Sequence, residues 1–409
     1  MTAVAIAPRE PPVRVAPEPP LRSLHIIDSL GVGGAETWLM ELLRYWREDG
    51  PVRIDFLATG GRSAVFDDEA EALGATIHYL RFGRDNLPVF THGFRRILAT
   101  GDYDALHDHQ DHASGWRHLL GLGRLPPVRL THVHNPAYQI RDNHGVTARR
   151  RLAGRIGKRL AARYATHIVG TSREAITGYG FDDPVFDAIP RAVLHCGFDP
   201  ARFAAGPEAR AWLRATFGWP QHAAIVLFAG LFDVSPEAGH PQTHKNSGFA
   251  VQVAIDCARR CEQARFIFAG EASAATAGLR ARIEAAGVGD RIIFAGVRRD
   301  IGRLMAGADA LLFPSRAEGL GMVAVEAQAA GLPVLASTSV PRECVVVPGL
   351  VRFLSLEAGA ESWRDALLEM LSAPRPDPAS ANRQVAASPF AIAHSARRLA
   401  TLYGTGGLT

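Results

Sequence analysis

The sequence predicts an α/β protein made of two doubly wound parallel-sheet units facing one another across a cleft. Three observations predict it. The chain has 409 residues, more than one compact core of this kind usually holds. Its hydrophobic fraction is 47%, that of a globular protein with substantial cores. Short, nearly continuous apolar runs alternate with longer amphipathic stretches, the pattern of strands buried on both faces and covered by helices.

The elements follow in order. Residues 1–21 carry six prolines and no long apolar stretch, and read as an extended or disordered tail rather than a leader peptide. Residues 24–28 read as a strand and 35–49 as a helix. Strand-like runs follow at 53–58, 76–80, 105–107, 129–133 and 166–170. The pattern restarts near 192–194 and continues at 224–229, 265–269, 291–294, 310–313 and 334–336. Residues 373–388, rich in Pro, Ser and Ala, read as a loop, and 390–403 as a last helix. The expected organisation is a first unit over 22–187, a second over 188–387 and a terminal helical segment over 388–409. Ligands of such sheets bind beyond the carboxyl ends of the strands, so functional motifs are expected there.

Composition narrows the partners. The net charge of +4 and pI near 9.0 favour anionic ones, such as phosphates or acidic lipid headgroups. No run of 18 apolar residues is present to cross a membrane. Four irregularly spaced cysteines suit free thiols in a reducing cytoplasm, and Cys257 and Cys261 read as small buried residues on one helix face.

The most informative stretch is 313–334. A buried strand ends at Phe313-Pro314, and Gly319 and Gly321 then bracket a helix start. Glycines there let backbone amides approach a ligand, and a helix N-terminus favours a phosphate. Glu318 lies in the loop and Glu326 inside the helix. Two such carboxylates can grip hydroxyls on opposite sides of one diphosphate. That suits a ligand with a sugar at one end and a ribose at the other.

Other motifs are weaker. Asp28-Ser-Leu-Gly-Val-Gly33-Gly34-Ala-Glu36-Thr is a glycine-rich strand-to-helix turn, but neither a Walker A sequence nor a full dinucleotide fingerprint. Glu36 also reads as a first-turn acid that only stabilises its helix. The cluster His107-Asp-His109-Gln-Asp-His112 has no Cys or Glu set to complete a metal site, so no metal is expected. Residues 147–163 carry seven cations, which read either as a solvated helix face or as a docking surface for anionic lipid. No aromatic-interleaved basic motif points to nucleic acid.

The 313–334 segment resembles the Glu-x7-Glu signature of the retaining glycosyltransferases of family 4, whose fold is the two-domain GT-B architecture. The flanking Glu326-Ala-Gln-Ala-Ala-Gly-Leu-Pro-Val334 fits as well, and the likeness runs from about residue 22 to 404, strongest toward exopolysaccharide and capsule transferases. The resemblance implies a transferase using a nucleotide diphosphate sugar, without a cofactor or required metal, at or near the inner face of the cell membrane. It implies that Glu318 contacts donor sugar hydroxyls and Glu326 the ribose. It places the amides of Gly319, Leu320 and Gly321 near the sugar and diphosphate, and Gly33 and Gly34 toward the phosphates. His134 matches a strand-end His near the anomeric carbon, with Asn135 after it, and His109 resembles a second, acceptor-side His. Val297 matches a backbone contact to the base. In the family the leaving diphosphate is thought to help deprotonate the acceptor.

One match breaks. The family carries a Gly-Arg after the first strand of the second unit and a Lys-Asn soon after, and both cations serve the diphosphate. Here Lys245-Asn246 is present, but Leu231 stands at the Arg position and 233–244 reads as an insertion. His244, Arg298 and Arg316 are the candidate substitutes. The alternatives to a transferase are a silent sugar-nucleotide-binding protein, motivated by Leu231, and a nucleotide-sugar epimerase.

Overall fold

The computed structural model describes residues 19–31, 33–47, 50–136, 148–204, 206, 208–232 and 244–405, the side chains of Arg150 and Thr405 excepted. Most of the Pro-rich 1–21 segment, Thr147 and residues 233–243 of the insertion lie outside the described residues. Leu21 already belongs to the first strand.

Among the described residues, two parallel sheets of seven and six strands carry the fold. The first contains β1 (Leu21–Ile27), β2 (Val52–Ala58), β3 (Ile77–Tyr79), β4 (Ala105–Asp108), β5 (Val128–Val133), β6 (His167–Gly170) and β7 (Arg191–Val193). Their spatial order is β3-β2-β1-β4-β5-β6-β7. The second contains β8 (Ala224–Ala229), β9 (Ala264–Ala269), β10 (Ile292–Gly296), β11 (Ala310–Phe313), β12 (Val334–Ser337) and β13 (Val351–Leu354), in the order β10-β9-β8-β11-β12-β13. The order reverses between β1 and β4 in one sheet and between β8 and β11 in the other. Crevices for ligands open at such reversals. The glycine turn after β1, the histidines after β4 and the Glu318 loop after β11 all sit beside them.

Three sequence readings need correction. The run near 192–194 is not the start of the second sheet: β7 pairs with β6 at the edge of the first. Residues 373–388 are not all loop, since a helix spans Pro378–Ala386. Its proline stands in the first turn, where no amide hydrogen is missed, and the Asp377 carboxylate accepts from the amides of Ala379 and Ser380 at 3.1 and 3.0 Å. The edge strand β13 escaped notice because its side chains are half-exposed and its run is short.

The helix Ile392–Thr405 leaves the second unit and packs on the first. Ala396, Leu399, Leu402 and Tyr403 are buried with Trp38, Leu39 and Leu42 of the helix Gly34–Trp46. The indole of Trp38 donates to Ser395 Oγ at 2.9 Å, and that hydroxyl donates to the carbonyl of His195 at 2.9 Å. A parallel bridge between Phe198 and Ala391 fixes the point of entry.

An ion pair without solvent exposure anchors the end of β4. The Arg117 guanidinium donates to both Asp108 carboxylate oxygens, at 2.5 and 2.6 Å, and lies over the Phe82 ring. Deleting one member of such a pair strands the other charge in a low dielectric. Asp108→Asn is therefore expected to lower the unfolding free energy by about 3–5 kcal/mol in urea titration. A loss under about 1 kcal/mol, the range of an exposed pair, would show that this pair is not structural.

Candidate active site

The two sheets present their carboxyl ends to one cleft. On the second sheet, the loop after β11 turns through Pro314 to Glu318, whose side chain is buried. The Lys245 ammonium meets Glu318 Oε1 at 2.7 Å and lies 5.8 Å from the centre of the Phe313 ring. Asn246, held at φ 59°, precedes the helix Ser247–Arg260 and donates from its side chain to the Pro314 carbonyl at 3.1 Å. The sequence motifs Lys245-Asn246 and Glu318 thus meet across 73 positions of chain because Asn246 fastens the two loops together.

Gly319 and Gly321 have separate reasons. A Cβ on Gly319 would collide with the carbonyl oxygen of His134 in the first unit, and the Ser172 hydroxyl donates to the Gly319 carbonyl. Gly321 stands at φ 86° and caps the helix Met322–Ala329, a conformation that disfavours side chains. Leu320 between them is buried in the apolar core, so its side chain is not free to contact a ligand. Glu326 is half-buried in the second turn of that helix. Burial pushes its carboxyl up to about 7; Arg202 and Lys245 oppose this and Glu41 adds to it. Arg202 itself pairs with Glu41, across the two units.

On the first sheet, Gly33 caps the helix Gly34–Trp46 in an extended conformation. A Cβ on Gly33 would strike the Glu36 carboxylate, which folds back over it. Burial raises the Glu36 carboxyl, with the Asp28 charge adding to it. Gly34 is exposed, and a Cβ there would meet nothing within 4 Å, so the fold itself does not demand glycine.

The histidines assemble further than the sequence suggested. His134 and Asn135 are half-buried after β5, the Thr171 hydroxyl donating to the His134 carbonyl at 3.1 Å. His134 Nε2 meets His109 Nδ1 at 2.9 Å, and His109 Nε2 meets His25 Nδ1 at 2.9 Å. With both ring nitrogens engaged, His109 supports His134 instead of reaching an acceptor, which corrects its expected role. Burial holds the His134 imidazole down to about 4, so it is neutral. His25 and His132 were not singled out. The register of β1 against β4 sets His25 beside His107, and the period-2 spacings 107/109 and 132/134 were the available signal. The nitrogens of His25, His107 and His109, and of His109, His132 and His134, lie within 4.8 Å of one another, a grouping compatible with an ion. The sequence reading missed these sets because their members come from different strands.

Val297 is 57% exposed just past β10, and Leu231 is 42% exposed just past β8. Of the candidate substitute cations, Arg298 is taken by Asp300 at 2.6 Å. Arg316 is exposed and pairs with no acid among the described residues, and its amide donates to the His244 carbonyl at 2.7 Å, beside Lys245.

Comparison with known proteins bears on this arrangement. The family profile described as Glycosyltransferase Family 4 matches residues 32–202, and that of Glycosyl transferases group 1 matches 237–373. A D-inositol 3-phosphate glycosyltransferase of Streptomyces scabiei is 30% identical over 351 residues, covering 77% of this chain and 73% of that protein. The chain belongs to glycosyltransferase family 4. The glycosyltransferase is also 27% identical over 357 residues to the putative glycosyltransferase EpsF of Bacillus subtilis, covering 87% and 89% of the two chains. Its fold matches that of Anabaena Alr3699/HepE, a crystal structure in complex with UDP and glucose, with a TM-score of 0.72 at 19% identity over 94% of this chain and all of that one. The two sheets of this glycosyltransferase are thus the two halves of a GT-B fold, with the cleft between them.

Glu326 provides a pH signature. Its folded-state value lies above the unfolded one, so its contribution to stability is full below about pH 4 and is lost as pH rises through about 7. Glu326→Gln in the ligand-free transferase is expected to raise the thermal midpoint at about pH 8 and to leave it nearly unchanged at about pH 4. Equal shifts at both would mean that the carboxyl does not titrate between them.

Proposed function

We propose that this transferase moves a hexose-type sugar from a nucleoside diphosphate sugar to a growing, lipid-linked glycan, with retention of anomeric configuration. The Lys245–Glu318 ion pair carries this reading. Each group neutralises the other. A bound donor separates them: its diphosphate takes Lys245 and its sugar hydroxyls take Glu318. The amides of Gly319, Leu320 and Gly321 face the sugar and the bridging oxygens, next to the positive end of the helix Met322–Ala329. Glu326 holds the ribose, and the backbone at Val297 meets the base. Gly33 and Gly34 close over the phosphates from the other unit, which gives a reason for a glycine at 34 that the fold lacks. That HepE forms a complex with UDP and glucose supports a nucleotide sugar as donor.

Leu231 removes one cation from the phosphates, and Arg316 takes its place. With Lys245 it stabilises the charge on the departing diphosphate, so no metal ion is needed. Neutral His134 contacts the sugar near its anomeric carbon, with Asn135 toward the acceptor. Sugar C1–O bond cleavage leaves the electron pair on the diphosphate oxygen, which then takes the proton of the attacking hydroxyl.

Lys245→Ala and Arg316→Ala are each expected to lower kcat by about 10²–10³-fold in donor hydrolysis and transfer assays. Unchanged turnover in either variant sinks the role of that cation. Binding without turnover in the parent chain would favour a silent sugar-nucleotide-binding protein, and isomerised donor would favour an epimerase.

The helix Ala148–Tyr164 supplies the membrane-facing surface. Arg149, Arg151, Arg155, Arg159 and Arg163 are exposed, with exposed Leu152 among them. Lys158 is not part of this face: it turns inward over the Tyr179 and Phe181 rings and donates to the Tyr179 carbonyl. Such a surface holds the enzyme beside lipid-linked acceptor at the inner face of the membrane. Arg151→Glu/Arg155→Glu is expected to abolish co-sedimentation with vesicles containing acidic lipid. Binding that survives this double reversal would exclude the helix as the docking face.

A further inference from the structure

The histidines of the first unit continue inward from the cleft as one hydrogen-bonded chain. It runs from His134 Nε2 to His109 Nδ1 (2.9 Å) and from His109 Nε2 to His25 Nδ1 (2.9 Å). From His25 Nε2 it passes to the Tyr403 hydroxyl (2.9 Å), and from that hydroxyl to His107 Nδ1 (2.7 Å). From His107 Nε2 it reaches His132 Nδ1 (3.0 Å). There it stops: among the described residues His132 Nε2 is buried without a hydrogen-bond partner. His25, His107 and His132 have no solvent exposure, and Tyr403 is nearly as deep.

Proton counting fixes how such a chain is occupied. Burial lowers every one of these imidazoles below its ordinary value, so each is neutral, with one N–H and one bare nitrogen. The phenol adds one O–H, and burial keeps it protonated. Each contact needs one proton, no more and no fewer. Choosing the tautomer of any member therefore sets all the others, and only two arrangements exist. In one, every histidine carries its proton on Nε2, which leaves His132 with a buried N–H and no acceptor. In the other, every proton is on Nδ1, and His132 is left with a bare nitrogen. A buried donor without an acceptor is the rarer and costlier fault. The dead end thus selects the second arrangement and transmits the choice to the cleft.

We propose that His109 and the buried histidines behind it are positioning residues that fix His134 as its Nδ1–H tautomer, so that it donates a hydrogen bond into the cleft. A donor there suits the oxygens of the donor sugar and cannot take the acceptor's proton, in keeping with the leaving diphosphate as the base. This catalytic consequence rests on the transferase reading above, whereas the tautomer itself does not. Tyr403 belongs to the terminal helix Ile392–Thr405, so docking of that helix completes the chain. An ion held by His25, His107 and His109 would use lone pairs that the chain needs for its hydrogen bonds.

The test is a long-range nitrogen–proton NMR correlation on untagged full-length protein labelled at histidine nitrogen. His134→Gln assigns the His134 signal by its loss. His134 is expected as the Nδ1–H form in the parent. In Tyr403→Phe the stranded nitrogen becomes His25 Nε2, so His134 is expected to stay Nδ1–H, whereas His109→Ala opens His134 Nε2 to water, which can donate or accept, and is expected to give a mixture of tautomers. Leu399→Val loosens the same helix without touching the chain and is expected to leave the tautomer unchanged. In transfer assays His109→Ala is expected to lower kcat about 10–100-fold with donor KM within about twofold. An Nε2–H form of His134 in the parent overturns the proposal. So does a tautomer unmoved by His109→Ala, a change with Tyr403→Phe or Leu399→Val, or a stoichiometric transition metal in elemental analysis. Failure of the transferase reading would appear separately, as absent transfer with the tautomer intact.

Discussion

The docking of the helix Ile392–Thr405 onto the first unit is the contact on which the cleft depends. The helix enters beside Phe198, buries Leu399, Leu402 and Tyr403 against the helix Gly34–Trp46, and holds Trp38 through Ser395. Hydrophobic burial supplies the free energy, but the polar groups define the seat. The Tyr403 hydroxyl bonds His25 and His107 and so joins the terminal helix to the strands that carry the cleft histidines. One apolar surface thereby orders both the relation of the two units and the side chains between them.

Across the cleft the two units approach more closely than side chains allow. Gly319 lies under the His134 carbonyl, where a Cβ has no room, and the Ser172 hydroxyl reaches the Gly319 carbonyl. The Arg202–Glu41 pair adds a second tie near Glu326. These contacts set a carboxylate pair, a lysine and a helix N-terminus on one side against neutral imidazole and backbone on the other. On the second unit Lys245 and Glu318 neutralise one another, while His134 on the first is neutral. The backbone of Arg316 is tied to that of His244, next to Lys245, while its side chain stays exposed.

Much of this was legible in the sequence, for identifiable reasons. Parallel strands buried on both faces write continuous apolar runs, so most strands and the doubly wound class could be read directly. The Glu318 loop and its glycines were visible because ligand-facing backbone at a helix start requires a local pattern. Reading failed where the signal was not local. Pro378 begins a helix only because Asp377 caps it, β7 joins the first sheet only by pairing with β6, and β13 is too short and exposed to stand out. His109 looked like a free cleft residue because the partners that occupy its two nitrogens lie 84 and 25 positions away.

The sequence by itself determined the fold class, the family and the residue types gathered at the strand ends, since each depends on periodicity or on motifs within a few tens of residues. Only the tertiary structure decided which of those residues meet. It paired Lys245 with Glu318, turned Leu320 and Lys158 inward, and committed Arg298 while leaving Arg316 exposed. It also linked five histidines through a tyrosine from the far end of the chain. The physical reason is that hydrogen bonds and ion pairs act over a few ångströms. Their partners are brought together by strand register and by the return of the terminal helix, neither of which has a local imprint in the residues that they join.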